Sequence, residues 1–391
     1  MTLPPKPAKR PENPRFSSGP CTKHKGWSVE ALKGALLGRN HRQPETKARI
    51  EAALLMTREL LGLPDDYRVA LVPASDTGAV EMALWSLLGP RGVDVLAWDA
   101  FSADWVTDIV EQLKLSDVRA HTAPYGELPD LAQADFGRDV VFAWNGTTSG
   151  VRVPNADWIA ADREGLTICD ATSAVFAQDI DWGKIDAATF SWQKVLGGEA
   201  QHGMLILSPR AIERLESHTP PWPVPKLFRM TKDGKVMEDL FEGVTINTPS
   251  MLCLEDYMDA LSFVESIGGL EGSMARADAN AAVIADWVAR TPWVDFAAVA
   301  PATRSNTSVC LKIVDPEIAA LAPELRDAVP RQMAARLGEE GVAKDIASYR
   351  DAPSGLRIWT GATVEKSDIE ALMPWLDWAF ACEKQALANT A

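Results

Sequence analysis

Cysteine is thin in this 391-residue sequence, and the five present (Cys21, Cys169, Cys253, Cys310 and Cys382) are scattered, with no Cys-x-x-Cys pair among them. That spacing excludes a disulfide framework and carries no zinc signature, so no metal site is expected. Positive charge is also short: 39 Lys and Arg against 54 Asp and Glu leave a formal charge of −15. A chain of that sign lacks the basic footprint that nucleic acid or an anionic membrane surface requires, and neither is expected as a partner. Any anionic ligand must be captured by a few local cations working against the overall field. Long apolar runs are missing too, since nothing approaches the roughly 20 apolar residues of a membrane span. The first 15 residues are rich in Pro, Lys and Arg, lack an apolar signal core and read as an arm. The expected location is cytoplasmic. Beyond that arm there is no low-complexity segment and no internal repeat.

What is present reads as a layered α/β protein. An apolar fraction of 47% with 24% charged residues is ordinary for a globular chain. The length exceeds what one core usually organises, which predicts two domains behind the arm at 1–15: a large α/β domain over 16–268 and a smaller α+β domain over 269–391. Short apolar runs at 69–72, 93–98, 140–144, 166–169, 187–192 and 204–207 alternate with amphipathic stretches. Strands that are apolar throughout, rather than alternating, predict a mostly parallel sheet covered on both faces. From about residue 270 the rhythm changes to helix patterns at 274–289, 324–337 and 367–387 and strand patterns at 308–314 and 356–359.

In an open α/β sheet ligands bind outside the carboxyl ends of the strands, so the informative residues are those that follow each run. After 69–72 comes Pro73-Ala74-Ser75-Asp76-Thr77-Gly78, with a helix predicted from Ala79. Such a turn offers backbone N–H groups and a positive dipole end to a phosphate, although Ser, Asp and Thr are equally the common helix N-caps. After 140–144 comes Asn145-Gly146-Thr147-Thr148, a loop or a ligand-orienting turn; after 166–169 comes Asp170, a cap or an acid at the strand's exit. After 187–192 comes Gln193-Lys194 and then a Gly-rich turn. A lysine wedged there is poorly hydrated, which lowers its pKa and makes it a nucleophile toward carbonyls. A phosphate cup, an acid and a nucleophilic lysine on one sheet edge are the parts that pyridoxal 5'-phosphate (PLP) requires: a Schiff-base lysine, a carboxylate for the pyridine nitrogen and a helix terminus for the phosphate.

Ser75-Asp76-Thr77-Gly78, Asn145 with Thr147, Asp170-Ala-Thr-Ser173, Ser191-Trp-Gln-Lys194 and Asn247-Thr248-Pro249 occur in an order and spacing that resembles the phosphoserine aminotransferases, class V enzymes of fold type I. The resemblance runs from Phe16-Ser-Ser-Gly-Pro20 to Arg357 and is most specific at Asn40-His41-Arg42, Gln193-Lys194 and Asn247-Thr248-Pro249. It implies a seven-stranded, mostly parallel sheet and a homodimer whose active sites are shared between subunits. It assigns the Schiff base and the proton shuttle to Lys194, the pyridinium partner to Asp170 and the 3'-oxygen side of the ring to Thr147. Ser75, Asp76, Thr77 and Gln193 would surround the cofactor phosphate, with Asn247 and Thr248 reaching it from the neighbouring subunit. Phe101 stands where the family stacks an aromatic ring, many members having Trp there, and Trp105 is a rival for that place. His41 and Arg42 would meet the substrate phosphate and Arg357 the α-carboxylate, for which a planar guanidinium fork is suited. The family's bacterial members carry a further Arg in the phosphate-cup segment where this chain has Asp76 or Thr77.

The implied reaction is transamination between O-phospho-L-serine and 2-oxoglutarate, giving 3-phosphohydroxypyruvate and L-glutamate, in serine biosynthesis. The resemblance also extends to the four-carbon homologue, 4-phosphohydroxy-L-threonine of vitamin B6 synthesis. Two other readings stand beside it: a class V aminotransferase acting on alanine or serine with glyoxylate, which would leave His41 and Arg42 idle, and a cofactor-free binding protein on the same fold. Cysteine desulfuration fits poorly, because Cys310 falls in a strand pattern and Cys382 in a terminal helix.

Overall fold

The apolar runs become strands of one sheet. In the computed structural model, which describes residues 5–389, the sheet contains β1 (Arg68–Pro73), β2 (Val93–Ala97), β3 (Val118–Thr122), β4 (Asp139–Ala143), β5 (Thr167–Asp170), β6 (Ala187–Ser191) and β7 (His202–Leu207). Their order is β1-β7-β6-β5-β4-β2-β3. Pairings from β3 through β6 are parallel, and β7 runs antiparallel to both β6 and β1. Strands β2, β4, β5, β6 and β7 are buried along their whole length, as strands covered on both faces must be. Strand β3 is absent from the sequence prediction for a physical reason. Its Val-Arg-Ala-His-Thr is largely exposed at the sheet edge, where charge discourages further pairing and erases the apolar signal.

Alternate residues of each strand enter opposite layers. Val69 and Leu71 pack with Ile50 and Leu54 of α1 (Pro44–Leu61) and Leu254 of α5 (Met251–Ser266), while Ala70 and Val72 pack with α2 (Ser75–Leu87), Trp105 of α3 (Ala100–Thr107) and Leu215 of α4 (Pro209–Ser217). The C-terminal part is a three-stranded antiparallel sheet, β8 (Val294–Phe296), β9 (Ser308–Ile313) and β10 (Leu356–Trp359). It packs with α6 (Gly269–Val288), α7 (Pro323–Glu339) and α8 (Lys366–Ala388). No helix among the described residues is long and apolar enough to cross a membrane.

The arm is not loose. Its residues 1–4 lie outside the described ones, but Lys6 pairs with Glu340 at 2.6 Å, Lys9 O accepts from Trp375 Nε1 at 2.8 Å, and the Arg10 guanidinium sits 5.0 Å over the Trp375 ring. Trp359 N donates to Phe16 O at 3.1 Å. The arm is thus seated on the C-terminal part, and the next residues cross from there to the large sheet, where Cys21 N donates to Gln193 O at 2.7 Å.

The two ends of the sheet carry different chemistry. Where strands begin, fully buried carboxylates are tied to arginines: Asp94 to Arg138 at 2.6 Å, Asp139 to Arg214 at 2.8 Å and Asp186 to Arg163 at 3.0 Å. Removing one partner of a buried pair strands the other charge. Arg163→Ala is therefore expected to cost about 3 kcal/mol, the low end of the usual range because Thr167 N and Ser208 Oγ still serve Asp186. The midpoint of denaturant unfolding checks it; a loss under about 1 kcal/mol would show the pair to be dispensable.

Candidate active site

Five strand exits converge on one cleft. The chain leaves β1 through Ala74 in the left-handed region (φ 66°) and enters α2 at once, with Ser75 as its first residue rather than Ala79 as the sequence pattern predicts. The turn is tight enough that a Cβ on Gly78 would lie 2.3 Å from Pro73 O. Ser75, Asp76 and Thr77 therefore form the first turn of α2, whose unpaired N–H groups and positive dipole end open at the cleft.

After β2, Asp99 caps α3 in a capping box with Ser102, and its other oxygen accepts from the backbone N and the hydroxyl of Thr148, both at 3.1 Å. On α3, Phe101 and Trp105 are one turn apart and so share a face. After β4, Thr147 Oγ1 donates to Ser173 Oγ at 2.8 Å, and Asn145 Nδ2 reaches the same oxygen at 2.9 Å. Strand β5 ends at Asp170. Its Oδ2 accepts from Trp105 Nε1 at 3.1 Å and its Oδ1 from Thr172 N at 3.1 Å.

Beyond β6, Ser191 Oγ donates to Gln193 Oε1, and Lys194 turns inward with only 8% of its surface exposed. Its Nζ donates to Ser18 O at 2.6 Å and lies 5.8 Å from the Phe101 ring centre. Burial, and then the nearby Arg357 charge, hold the ammonium below the usual lysine range against the opposing pull of Asp170 and Asp76. The crossing segment approaches so closely that a Cβ on Gly19 (φ 141°) would lie 2.6 Å from that nitrogen.

Ser75, Asp76, Thr77, Phe101, Trp105, Asn145, Thr147, Asp170, Gln193 and Lys194 all line this cleft. Arg357, on β10, is half-buried with its guanidinium 5.7 Å over the Tyr349 ring, and its Nε has no hydrogen-bond partner among the described residues. Tyr349 in turn packs at 5.3 Å on Phe101, so the C-terminal part roofs the aromatic wall. Five residues singled out from the sequence do not line the cleft of this chain, Arg357 among them. Asn247 and Thr248 are exposed ahead of α5, where Ser250 N donates to His202 Nε2 at 2.9 Å; Arg42 is exposed, and the Nε2 of half-buried His41 has no partner among the described residues.

Asp99 was legible by the same strand-exit rule that finds Asp170, because it follows the run ending at Trp98. Ser18 and Tyr349 carry no local signal, being brought in from remote segments.

No family model matches the chain. A phosphoserine aminotransferase of Methanosarcina barkeri is 58% identical over 375 residues, covering 96% of this chain and 99% of that protein. The chain belongs to the phosphoserine aminotransferase family. Among solved structures, a phosphoserine aminotransferase from Cytophaga hutchinsonii superposes with a TM-score of 0.78 at 19% identity, covering 93% of this chain and 98% of that one. A PLP-bound phosphoserine aminotransferase from Trichomonas vaginalis gives 0.74 at 16% identity, over 94% and 100%. These two establish the shared fold.

The cofactor of phosphoserine aminotransferases is PLP, and the donor set of this cleft fits it. A dehydrated amine, a carboxylate, an aromatic face and an open helix N-terminus line the one cleft. An aldehyde, a ring nitrogen and a phosphate each find a complementary group there.

Proposed function

We propose that the chain catalyses transamination between O-phospho-L-serine and 2-oxoglutarate, giving 3-phosphohydroxypyruvate and L-glutamate, with Lys194 as the cofactor-bearing residue. The observation that carries this reading is the buried, deprotonation-prone Lys194 amine set in one cleft with Asp170 and the α2 terminus. When bound, PLP supplies an electron sink and a carrier for the amino group. Lys194 contributes a nucleophilic nitrogen and afterwards a base at the substrate Cα, which its lowered pKa equips it to be. Asp170, held by Trp105 and Thr172, would face the ring nitrogen as an anion. Ser75, Thr77 and Gln193 serve the phosphate at the start of α2, with Asp76 on the same turn, and Thr147 serves the ring's 3'-oxygen. Phe101 offers the ring face, since the Trp105 indole N–H is committed to Asp170. The 17–21 crossing and the Tyr349 roof exclude water.

We further propose a homodimer in which Asn247 and Thr248 reach the partner's cofactor phosphate, while His41 and Arg42 meet the substrate phosphate. Exposed Val29, Leu37 and Leu252, near these residues in sequence, support a covered face. A coupled assay comparing phosphoserine, alanine and serine as donors to 2-oxoglutarate tests the reaction. Preference for alanine would replace it with a non-phosphorylated substrate.

Arg357 has a graded test. Its free Nε and depth on β10 suit a carboxylate fork, and a charge-assisted pair is worth roughly 1.5–3 kcal/mol. Arg357→Ala is expected to raise KM about 10- to 100-fold for phosphoserine and glutamate alike, with the cofactor still bound. An Arg42→Ala variant should affect phosphoserine alone. Unchanged KM values in both would contradict the assignments.

A further inference from the structure

The second residue of α2 has a carboxylate for a neighbour. Asp76 is 5% exposed, and its Oδ1 has no hydrogen-bond partner among the described residues. Its carboxyl lines the same cleft as the Asp170 carboxyl and interacts with it, and the Thr189 hydroxyl on β6, close by, is likewise without a hydrogen-bond partner among the described residues. The other charged or titratable groups facing the pair are Lys194, Asp99 and the Cys169 thiol. Two carboxylates this close in a dry site cannot both ionise, so they share one proton. Burial first, and then the Asp170 charge, push the Asp76 carboxyl far above its ordinary range. Burial raises Asp170 as well, but hydrogen bonds from Asp76, Thr172 and Trp105 oppose that rise. Of the two carboxyls, Asp76 is the one raised further.

Given the PLP reading above, we infer that Asp76 is a positioning residue: as a neutral acid it donates a hydrogen bond to Asp170, fixing that carboxylate and moderating its pull on the cofactor's ring nitrogen. A third donor spreads the Asp170 charge and makes it a weaker base. Loss of the Asp76 proton would leave two anions beside the ring nitrogen and tighten its hold on a proton.

The test uses the full chain with and without bound cofactor, as wild type, Asp76→Asn and Asp76→Ser; the serine variant keeps a residue that starts helices well should the amide fold poorly. A carboxyl raised in the folded state costs stability progressively as pH climbs above its unfolded value of about 4. Without cofactor, the Tm of Asp76→Asn minus that of wild type should therefore grow as pH rises. With cofactor, the pH midpoint of the bound chromophore's absorbance should shift in both variants. In Asp76→Ser, kcat should fall about tenfold with KM values little changed, and less in Asp76→Asn, whose amide can still donate. A pH-independent Tm difference would overturn the shared proton. A growing difference with an unmoved absorbance midpoint and kcat would confine Asp76 to folding and overturn its positioning role. Failure of the wild type to take up PLP would sink the functional reading instead, and the cofactor-free result would stand apart from it.

Discussion

Lys194→Ala is expected to abolish turnover, by more than about 10⁴-fold, together with the near-visible absorbance of lysine-bound cofactor. The expectation follows from three features of the fold. The side chain enters the cleft from the end of β6, where a buried strand stops and the backbone turns inward. Its amine is dehydrated, and burial lowers its pKa, which favours the neutral, nucleophilic form. Its hydrogen-bond partner is the Ser18 carbonyl, which orients the nitrogen without neutralising it as a carboxylate would. Lys194→Arg separates nucleophilicity from charge, because a guanidinium stays protonated and cannot add to an aldehyde. It should be as inactive as the alanine variant. Measured with phosphoserine and 2-oxoglutarate, residual turnover within a hundredfold of wild type in either variant would remove the mechanism.

The second large effect is expected at Asp170. Asp170→Asn preserves shape and one acceptor oxygen but deletes the anion proposed to face the ring nitrogen, and a preorganised electrostatic contact of that kind is typically worth 10²–10³ in kcat, about 3–4 kcal/mol. Lys194 and the α2 terminus are untouched, so the variant should still take up PLP. The absorbance should persist while kcat collapses. Activity within tenfold of wild type would mean that the carboxylate serves packing rather than the ring. The two substitutions thus fail in different ways: one loses the covalent attachment, the other retains it and loses the chemistry.

Much of this was legible in the chain itself. Buried parallel strands are apolar throughout, so the runs at 93–98, 140–144, 166–169 and 187–192 mark β2, β4, β5 and β6 with little ambiguity. A strand that leaves the core must end on polar residues, which is why Asp170, Thr147 and Lys194 stand out. The edge strand β3 does not, because half its surface faces water and its composition resembles a loop. The start of α2 is misplaced for a related reason. Ser, Asp, Thr and Gly are poor helix formers by propensity, and the strained Ala74 turn that lets α2 begin early leaves no compositional trace.

The sequence by itself determined the layered architecture, the edge of the sheet where chemistry gathers, and the amine and acid at its centre, because side-chain period and strand polarity are local properties. Only the tertiary structure decided that the Ser18 carbonyl, 176 residues away, holds Lys194, that Asp76 meets Asp170, and that Arg357 and Tyr349 close the cleft from the C-terminal part. A carbonyl or a carboxyl can serve many partners, and which one it meets depends on how remote segments cross, which no local pattern encodes.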